Sequence, residues 1–167
     1  PVERKKMEQW FFKTTEYAEE LLKGLDKLED WPETTKKIQS NWIGKSNGSE
    51  IRFMDAYGKF DISVFTTRPD TINGVSYIVV APESDLVTQI TKEEYREDVR
   101  KYIEQTGRLT EIERLSSERE KTGVFTGAYV VNPINGEKIP VWIADYVLDD
   151  YGTGAVMAVP AHDKRDY

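Results

Sequence analysis

The chain has 167 residues, a formal net charge of -7 at pH 7, 38% hydrophobic and 32% charged residues, no cysteine and one histidine. These values suit one folded domain and exclude a disordered chain, disulfides, thiolate zinc sites and sites built from several histidines. No apolar run reaches the roughly 20 residues of a membrane-spanning helix, and the acidic balance argues against a free-standing protein that binds nucleic acid by charge alone. We therefore expect a cytoplasmic protein that works through hydroxyls, carboxylates and backbone groups.

The first part of the chain has helical patterning. Apolar residues recur at helical spacing from Thr14 to Leu28, and Pro32 suits the first turn of a second helix that ends near Asn41. The chain starts without methionine and stops without a turn or cap residue, so we expect both ends to be cut from something longer. Residues 1–45 are predicted to be a helical leader, and residues 46–167 a β-rich α/β domain that is truncated at its C-terminal end.

Short strands predominate after residue 46. The sequence Asn135-Gly136 is the strongest hairpin signal of the chain, and it separates two apolar runs. The predicted strands are Glu50 to Met54, Lys59 to Phe65, Tyr77 to Ala81, Phe125 to Val131, Lys138 to Leu148 and Ala155 to Val159.

A helical insertion is predicted between the third and fourth strands. Thr91 stands three residues before Glu94, as in a capping box, and Thr110 stands in the same relation to Glu113. Gly107 is the expected stop between the two helices. The predicted apolar face of the first helix consists of Tyr95, Val99, Tyr102 and Ile103.

Three stretches are too polar or too rich in glycine to be ordinary packing. In the first, Thr66-Thr67-Arg68-Pro69-Asp70-Thr71, hydroxyls, a guanidinium and a carboxylate cluster where a strand gives way to a loop. Binding groups are often presented at such strand ends. A solvated turn stiffened by proline is the alternative.

The second stretch is Tyr151 to Pro160. Its glycines Gly152 and Gly154 would let the backbone approach a ligand closely, although a tight turn before a core strand explains them equally well. It lacks the Gly-Lys-Ser/Thr ending of a phosphate-binding loop.

The third stretch, Ala161 to Tyr167, is predicted to start a helix. There Asp163 and Asp166 would share one face, although Asp163 also suits a simple cap. His162 suits a structural role better than a catalytic one. A metal site is not favoured, because no second cluster supplies further ligands.

In combination these stretches closely resemble the editing domain of leucyl-tRNA synthetase, and they follow the order of that family. The flanking sequences agree, among them Trp31-Pro32 and Asn41-Trp42-Ile43-Gly44. The related isoleucine and valine enzymes have similar threonine-rich motifs, and Asp70 points to the leucine type. Asn73 departs from the family, which more often has a bulky apolar residue there.

The resemblance implies a small β-barrel-like domain with peripheral helices, preceded by a leader from the synthetase body. It also implies hydrolysis of the ester in tRNA(Leu) mischarged with isoleucine, valine or similar amino acids. The alternative is a non-catalytic module of the same fold that binds the tRNA end or an adenosine-like ligand. The ligase site itself is missing, since one histidine cannot form the His-Ile-Gly-His motif.

The resemblance also implies the site residues and their roles. Asp166 would hold the substrate ammonium, Thr66 and Thr67 would orient water and stabilise the oxyanion, and Thr71 would exclude leucine by shape. The residues predicted to be catalytic are Thr66, Thr67 and Asp166, and those predicted to bind substrate are Arg68, Thr71, Tyr151, Met157, Val159, Asp163 and Arg165.

Within the binding set, Arg68 would contact a phosphate or ribose oxygen, and Asp163 and Arg165 would brace the site or contact the adenosine. Tyr151, Met157 and Val159 would form the pocket wall. We expect no metal or cofactor for editing, ATP and Mg²⁺ belonging to the absent synthetic core. The expected partners are the 3′ end of tRNA(Leu) and the remainder of the synthetase chain, with no membrane and a monomeric state.

Overall fold

The structure, a computed structural model, describes residues 7–116, 119–150, 152–164 and 166–167. The chain forms two compact units, a small one over Lys5–Asn47 and a larger one over Gly48–Tyr167. No helix in these described ranges is long and apolar enough to cross a membrane.

The small unit is helical, and the expected helix from Thr14 to Leu28 is found as one short α-helix between two 3₁₀ turns. Pro32 lies at the N-cap of the next helix with ψ 137°, so its predicted place in the first helical turn is wrong by one position. Gly44 ends that helix in the left-handed region, with φ +65°. The bounds are Thr14–Tyr17 (3₁₀), Ala18–Gly24 (α1), Leu25–Lys27 (3₁₀) and Glu33–Ile43 (α2).

The larger unit is built on one sheet, in which the described residues form six strands. In space the order is β2-β1-β4-β5-β3-β6. The strands are Ser49–Asp55 (β1), Asp61–Thr66 (β2), Tyr77–Val80 (β3), Gly123–Val131 (β4), Lys138–Ala144 (β5) and Ala155–Ala158 (β6). All six predicted strands are found, although β5 ends four residues before the predicted Leu148.

The directions of the strands decide which loops meet. Strand β1 is antiparallel to both β2 and β4, β4 is antiparallel to β5, β5 is parallel to β3, and β3 is antiparallel to β6. Strands β2, β4 and β6 therefore run one way, and β1, β3 and β5 run the other way. The segments that follow β2, β4 and β6 consequently leave the sheet at the same edge.

The sheet is open in its strand pairing but strongly curved. Its two end strands, β2 and β6, approach each other to within 8 Å between Cα atoms. The expected β-rich α/β class is confirmed, and the curvature of the sheet makes it resemble a barrel that is not closed by strand pairing. The proposed origin of the helical leader stays a prediction.

The main core fills the concave face of the sheet. Ile78 and Val80 of β3 belong to it, whereas Tyr77 and Val79 pack on the opposite face with Ala144 and Tyr146. The alternation follows from the two-residue period of a strand. Residues buried in the main core include Phe53, Ile62, Val64, Val87, Val99, Tyr102, Val130, Val141, Ile143 and Met157.

Three α-helices are described between β3 and β4: Asp85–Ile90 (α3), Arg96–Thr106 (α4) and Glu111–Leu115 (α5). Helix α3 was not predicted. Thr91 follows α3 as its C-cap and donates its hydroxyl to Val87 O at 2.6 Å, so the predicted capping box at Thr91 is wrong. The apolar face of α4 is confirmed for Val99, Tyr102 and Ile103, whereas the predicted Tyr95 is the N-cap of the helix. The end of α4 at Gly107 and the capping box of Thr110 and Glu113 are also confirmed.

Candidate functional site

The threonine segment, Thr66–Thr71, turns sharply as the chain leaves β2. The hydroxyl of Thr66, the last residue of β2, accepts a hydrogen bond from Arg68 N at 3.0 Å. A 3₁₀ turn, Pro69–Gly74, begins directly afterwards. Thr67, between the two, has an exposed side chain. The predicted strand-end position of these hydroxyls is thus found.

Arg68 and Asp70 form an exposed ion pair on this turn. Arg68 Nε and Nη2 lie 2.9 Å and 2.8 Å from the two carboxylate oxygens of Asp70. These hydrogen bonds hold the pKa of the Asp70 carboxyl below its usual range, and the nearby His162 adds a smaller lowering. Asp70 in turn raises the pKa of Arg68. The N–H groups of the guanidinium that do not bond to Asp70 can still donate to an anionic oxygen.

Thr71 is the buried member of the threonine segment, with 3% of its surface exposed. Its hydroxyl donates to Arg68 O at 2.8 Å, and its backbone N–H donates to the same oxygen at 3.1 Å. The hydroxyl is therefore directed back into the turn. Because χ1 of a β-branched residue is stiff, this bond also fixes the direction of the Thr71 methyl group.

The segment that follows β6 wraps around Val159. Val159 O accepts hydrogen bonds from the N–H groups of His162 and Asp163 at 2.8 Å and 3.0 Å, and Val159 N donates to Asp166 Oδ2 at 2.9 Å. We call Val159–Asp166 the C-terminal turn. The helix predicted from Ala161 is wrong in the described part of this segment, because these bonds close turns around one residue instead of propagating along a helix.

The C-terminal turn meets the threonine segment through His162. A Cβ atom on Gly74 would lie 3.3 Å from His162 Cδ2 and 3.4 Å from His162 Nε2, so the imidazole packs closely over this glycine. With the influence of His162 on Asp70, this contact shows that the segments after β2 and β6 lie together at one sheet edge.

Asp166 lies on the other side of the C-terminal turn. It lines a groove of about 400 Å³ on the convex face of the sheet, together with Tyr77, Trp142 and Tyr146. Its backbone carbonyl accepts a hydrogen bond from the Tyr77 hydroxyl at 2.8 Å. Burial raises the pKa of the Tyr77 and Tyr146 hydroxyls, and the Asp166 charge adds to both shifts. These hydroxyls therefore remain protonated donors at neutral pH.

The glycine-rich stretch lies away from these groups. Gly152 and Gly154 have φ of +64° and +68°, and a Cβ on Gly154 would lie 2.9 Å from Asp149 Oδ1. The stretch precedes β6 and is thus at the opposite edge of the sheet. Its glycines serve a tight turn against Asp149, which is the alternative that the sequence left open.

The remaining predicted site residues are placed as follows. Met157 and Val159 are buried in the main core, and Asp163 is half-buried in the C-terminal turn. Tyr151 and Arg165 lie outside the described residues. Among the described residues no group of three or more His, Asp or Glu side chains is arranged to hold a metal ion.

A family model for the editing domain of leucyl-tRNA synthetase matches residues 40–167. The chain belongs to this family. The match begins inside α2 and includes both the threonine segment and the C-terminal turn.

The sequence is also similar to individual proteins that contain a leucyl-tRNA synthetase editing domain. The leucine–tRNA ligase of Clostridium kluyveri is 58% identical over 166 residues, which are 99% of this chain and 20% of that protein. The ligase of Borrelia hermsii is 56% identical over the same length. The chain thus spans about a fifth of the length of the relatives it matches.

A solved structure of the same family is also similar. It is the crystal structure of the ternary complex of Agrobacterium radiobacter K84 agnB2 LeuRS with tRNA and LeuAMS. The similarity has a TM-score of 0.80 at 41% identity and covers 95% of this chain and 19% of that one.

The sequence of this editing domain did not predict one residue that contacts the turn after the threonine segment. Asn132, just after β4, donates its side-chain amide to Ile72 O at 2.9 Å, within the 3₁₀ turn that carries Thr71. In the sequence, Asn132 precedes Pro133 and stands close to Asn135-Gly136, which is typical of a turn residue. The contact depends on three-dimensional proximity, for which a single sequence offers no signal.

Proposed function

We propose that this chain is the editing domain of a leucine–tRNA ligase and hydrolyses the ester of tRNA(Leu) mischarged with isoleucine, valine or similar amino acids. The observation that carries the proposal is the meeting of the threonine segment and the C-terminal turn at one sheet edge, in a chain of this family. This meeting brings the turn that carries Arg68 and Asp70 close to His162 of the C-terminal turn.

The proposed reaction is needed because an enzyme cannot select its amino acid accurately by size alone. A hydrophobic pocket separates substrates that differ by one methylene by only about 1–3 kcal/mol, so a second site that destroys wrong products is needed. Thr66 and Thr67 orient the attacking water and stabilise the oxyanion, and Asp166 accepts the ammonium of the aminoacyl group.

The position of the Asp166 carboxylate is fixed by the backbone, because Oδ2 accepts the Val159 N–H at 2.9 Å directly after β6. Arg68 contacts a phosphate or ribose oxygen of the tRNA, and a ribose hydroxyl of the tRNA assists the water. This route calls for no metal or cofactor.

The proposed partners are the 3′ end of tRNA(Leu) and the rest of the synthetase chain, and the proposed setting is a monomer in the cytoplasm. The solved relative with a similar fold is a complex with tRNA, which supports tRNA as the partner. The net charge of -7 is consistent with a domain that takes only a single-stranded end, while other parts of the ligase hold the tRNA body.

The test is deacylation of isoleucyl-tRNA(Leu) and leucyl-tRNA(Leu). Two proteins are assayed: the 167-residue chain, and the Clostridium kluyveri ligase with this chain in place of its matching segment. We expect the chimaeric ligase to clear isoleucyl-tRNA and spare leucyl-tRNA. Binding of the mischarged tRNA without loss of the ester, in both proteins, would instead identify a non-catalytic binding module and refute the proposal.

A further inference from the structure

The 3₁₀ turn Pro69–Gly74 is tied to a distant part of the sheet by one buried amide. Asn132 has 1% of its surface exposed, and its Nδ2 donates to Ile72 O at 2.9 Å. Ile72 is the residue next to Thr71. The other hydrogen bond to Ile72 O, from Val75 N, belongs to the turn itself and is long, at 3.4 Å.

The direction of the Asn132 amide is fixed from its other end. Its Oδ1 accepts the N–H of Ile134 at 2.9 Å, in the β4–β5 connection. Because Ile134 N–H is a donor and Ile72 O is an acceptor, the hydrogen-bond network allows only this orientation of the amide. The side chain thus joins two rigid features, the hairpin between β4 and β5 and the turn that presents Thr71.

This arrangement has a consequence for selection by shape. A steric gate discriminates only if its backbone is held in place, and a misplacement of about 1 Å at a reacting site can cost roughly a hundredfold in rate. The hydroxyl of Thr71 bonds within its own turn, so it orients the side chain but does not hold the turn against the sheet. Asn132 supplies a bond between the turn and the sheet.

We propose that Asn132 is a positioning residue for amino acid selectivity, which holds the Thr71 turn in the position from which Thr71 excludes leucine. The inference rests on the proposed editing function. Asn132 acts through Ile72 O and Thr71 and does not touch the substrate.

The test variant is Asn132→Asp, which keeps the shape of the side chain and the acceptor for Ile134 N–H but removes the donor to Ile72 O. The matched control is Thr126→Val in β4. Thr126 is also fully buried, and its hydroxyl donates to the backbone oxygen of Val141 at 2.6 Å, away from the Thr71 turn. Each variant removes one buried donor to a backbone carbonyl with little change in shape. Thr126→Val also removes the acceptor of the Ala128 N–H at 3.2 Å, and Asn132→Asp also places a carboxylate next to Ile72 O, so each variant has a second cost in stability.

Two measurements separate positioning from general loss of stability. Hydrogen exchange of the Thr71 amide, which bonds to Arg68 O, should be about ten times faster in Asn132→Asp than in Thr126→Val, as expected for one lost hydrogen bond. In the chimaeric ligase, the ratio of leucyl- to isoleucyl-tRNA deacylation should rise about tenfold in Asn132→Asp and stay at the parent value in Thr126→Val.

An unchanged ratio in a folded Asn132→Asp protein would overturn the inference, and so would an equal rise in Thr126→Val. If Asn132→Asp does not fold, Asn132→Ser replaces it, because serine is too short to reach Ile72 O but still offers Ile134 N–H an acceptor. A parent that deacylates neither ester would refute the proposed function, and selectivity by Asn132 with it. Hydrogen exchange would then still report whether Asn132 holds the turn.

Discussion

Replacement of Thr71 separates two roles that the structure allows for its side chain. The methyl group of a stiff β-branched residue can block the branch of a leucyl ester, while the hydroxyl stabilises the turn through Arg68 O at 2.8 Å. Three variants divide these groups. Thr71→Ser removes the methyl, Thr71→Val removes the hydroxyl and keeps the branched shape, and Thr71→Ala removes both.

The magnitudes follow from the contacts. Thr71→Val should lower the free energy of unfolding by about 1 kcal/mol, the value of one hydrogen bond, because Thr71 N–H still donates to Arg68 O and leaves that oxygen with a partner. Thr71→Ser should cost about 0.8 kcal/mol for the buried methyl, and Thr71→Ala about 2 kcal/mol for both groups. If the methyl is the gate, its loss should raise leucyl-tRNA deacylation by roughly 10- to 200-fold.

The assay compares leucyl- and isoleucyl-tRNA deacylation by the parent and the three variants in the chimaeric ligase, with urea unfolding of each protein. We expect Thr71→Ser and Thr71→Ala to attack leucyl-tRNA and to keep clearing isoleucyl-tRNA, while Thr71→Val retains the parent selectivity. The opposite order, in which Val loses selectivity and Ser retains it, would show that the turn and not the methyl sets the preference. An unchanged ratio in all three variants would refute the steric gate altogether.

The further predictions concern charged and capping groups. Asp166→Asn keeps an acceptor for its backbone partner but loses the charge that binds an ammonium, so isoleucyl-tRNA deacylation should fall roughly 10- to 100-fold with an unchanged Tm; near-parent activity would contradict the role. Arg68→Ala should raise KM for mischarged tRNA and reduce the slope of log binding constant against log salt concentration by about one. The control is Arg52→Ala, because Arg52 has the same 64% exposure and also pairs with an aspartate; it should change neither quantity. Thr110→Ala should lower the free energy of unfolding by about 1 kcal/mol. The hydrogen bond from the Thr110 N–H holds the pKa of the Glu113 carboxyl below its usual range. The stability gained from this carboxylate is therefore present above the ordinary pKa of a glutamate and is lost as pH falls through the lowered pKa. Urea unfolding against pH should show Glu113→Gln converging on the parent in acid.

The sequence predicted those elements whose signals are local. Alternating apolar residues identified the strands, and Asn135-Gly136 identified the β4–β5 hairpin, in which Gly136 has φ +76°. The capping box of Thr110 and Glu113 was also predicted correctly, since both of its hydrogen bonds lie within four consecutive residues. In each case the residues that form the structure are the residues that signal it.

The two helix errors come from short-range hydrogen bonds that compete with the predicted ones, whereas the Asn132 contact was not predicted because its partner Ile72 is 60 residues away in sequence. Thr91 and Glu94 have the spacing of a capping box, but Thr91 closes α3 and its N–H and hydroxyl both bond to Val87 O. The expected helix at Ala161 gives way to turns around Val159, because the Asp166 carboxylate accepts the Val159 N–H. For the candidate site, two of the three stretches singled out in the sequence, the threonine segment and the C-terminal turn, meet at one edge of the sheet, while the bond from Asn132 to Ile72 O could not be predicted.

Different groups of residues lie at the two edges of the sheet where the strands end. Strands β2, β4 and β6 end at one edge, and their following segments supply the threonine segment, Asn132 and the C-terminal turn. At the other edge β5 ends, and a buried polar network surrounds Asp145: Arg114 donates to Asp145 O at 2.6 Å, and Asp145 N donates to the Tyr102 hydroxyl at 3.0 Å.

This separation predicts how substitutions divide between stability and selectivity. Changes to Tyr102, Arg114 or Asp145 act at the edge where helices α4 and α5 meet the sheet, so they should lower the free energy of unfolding and leave the leucyl-to-isoleucyl ratio unchanged. The glycine pair before β6 belongs to this structural edge as well. Under the proposed function, selectivity would depend instead on the strand ends at the opposite edge, where residues far apart in sequence meet because three strands run in one direction.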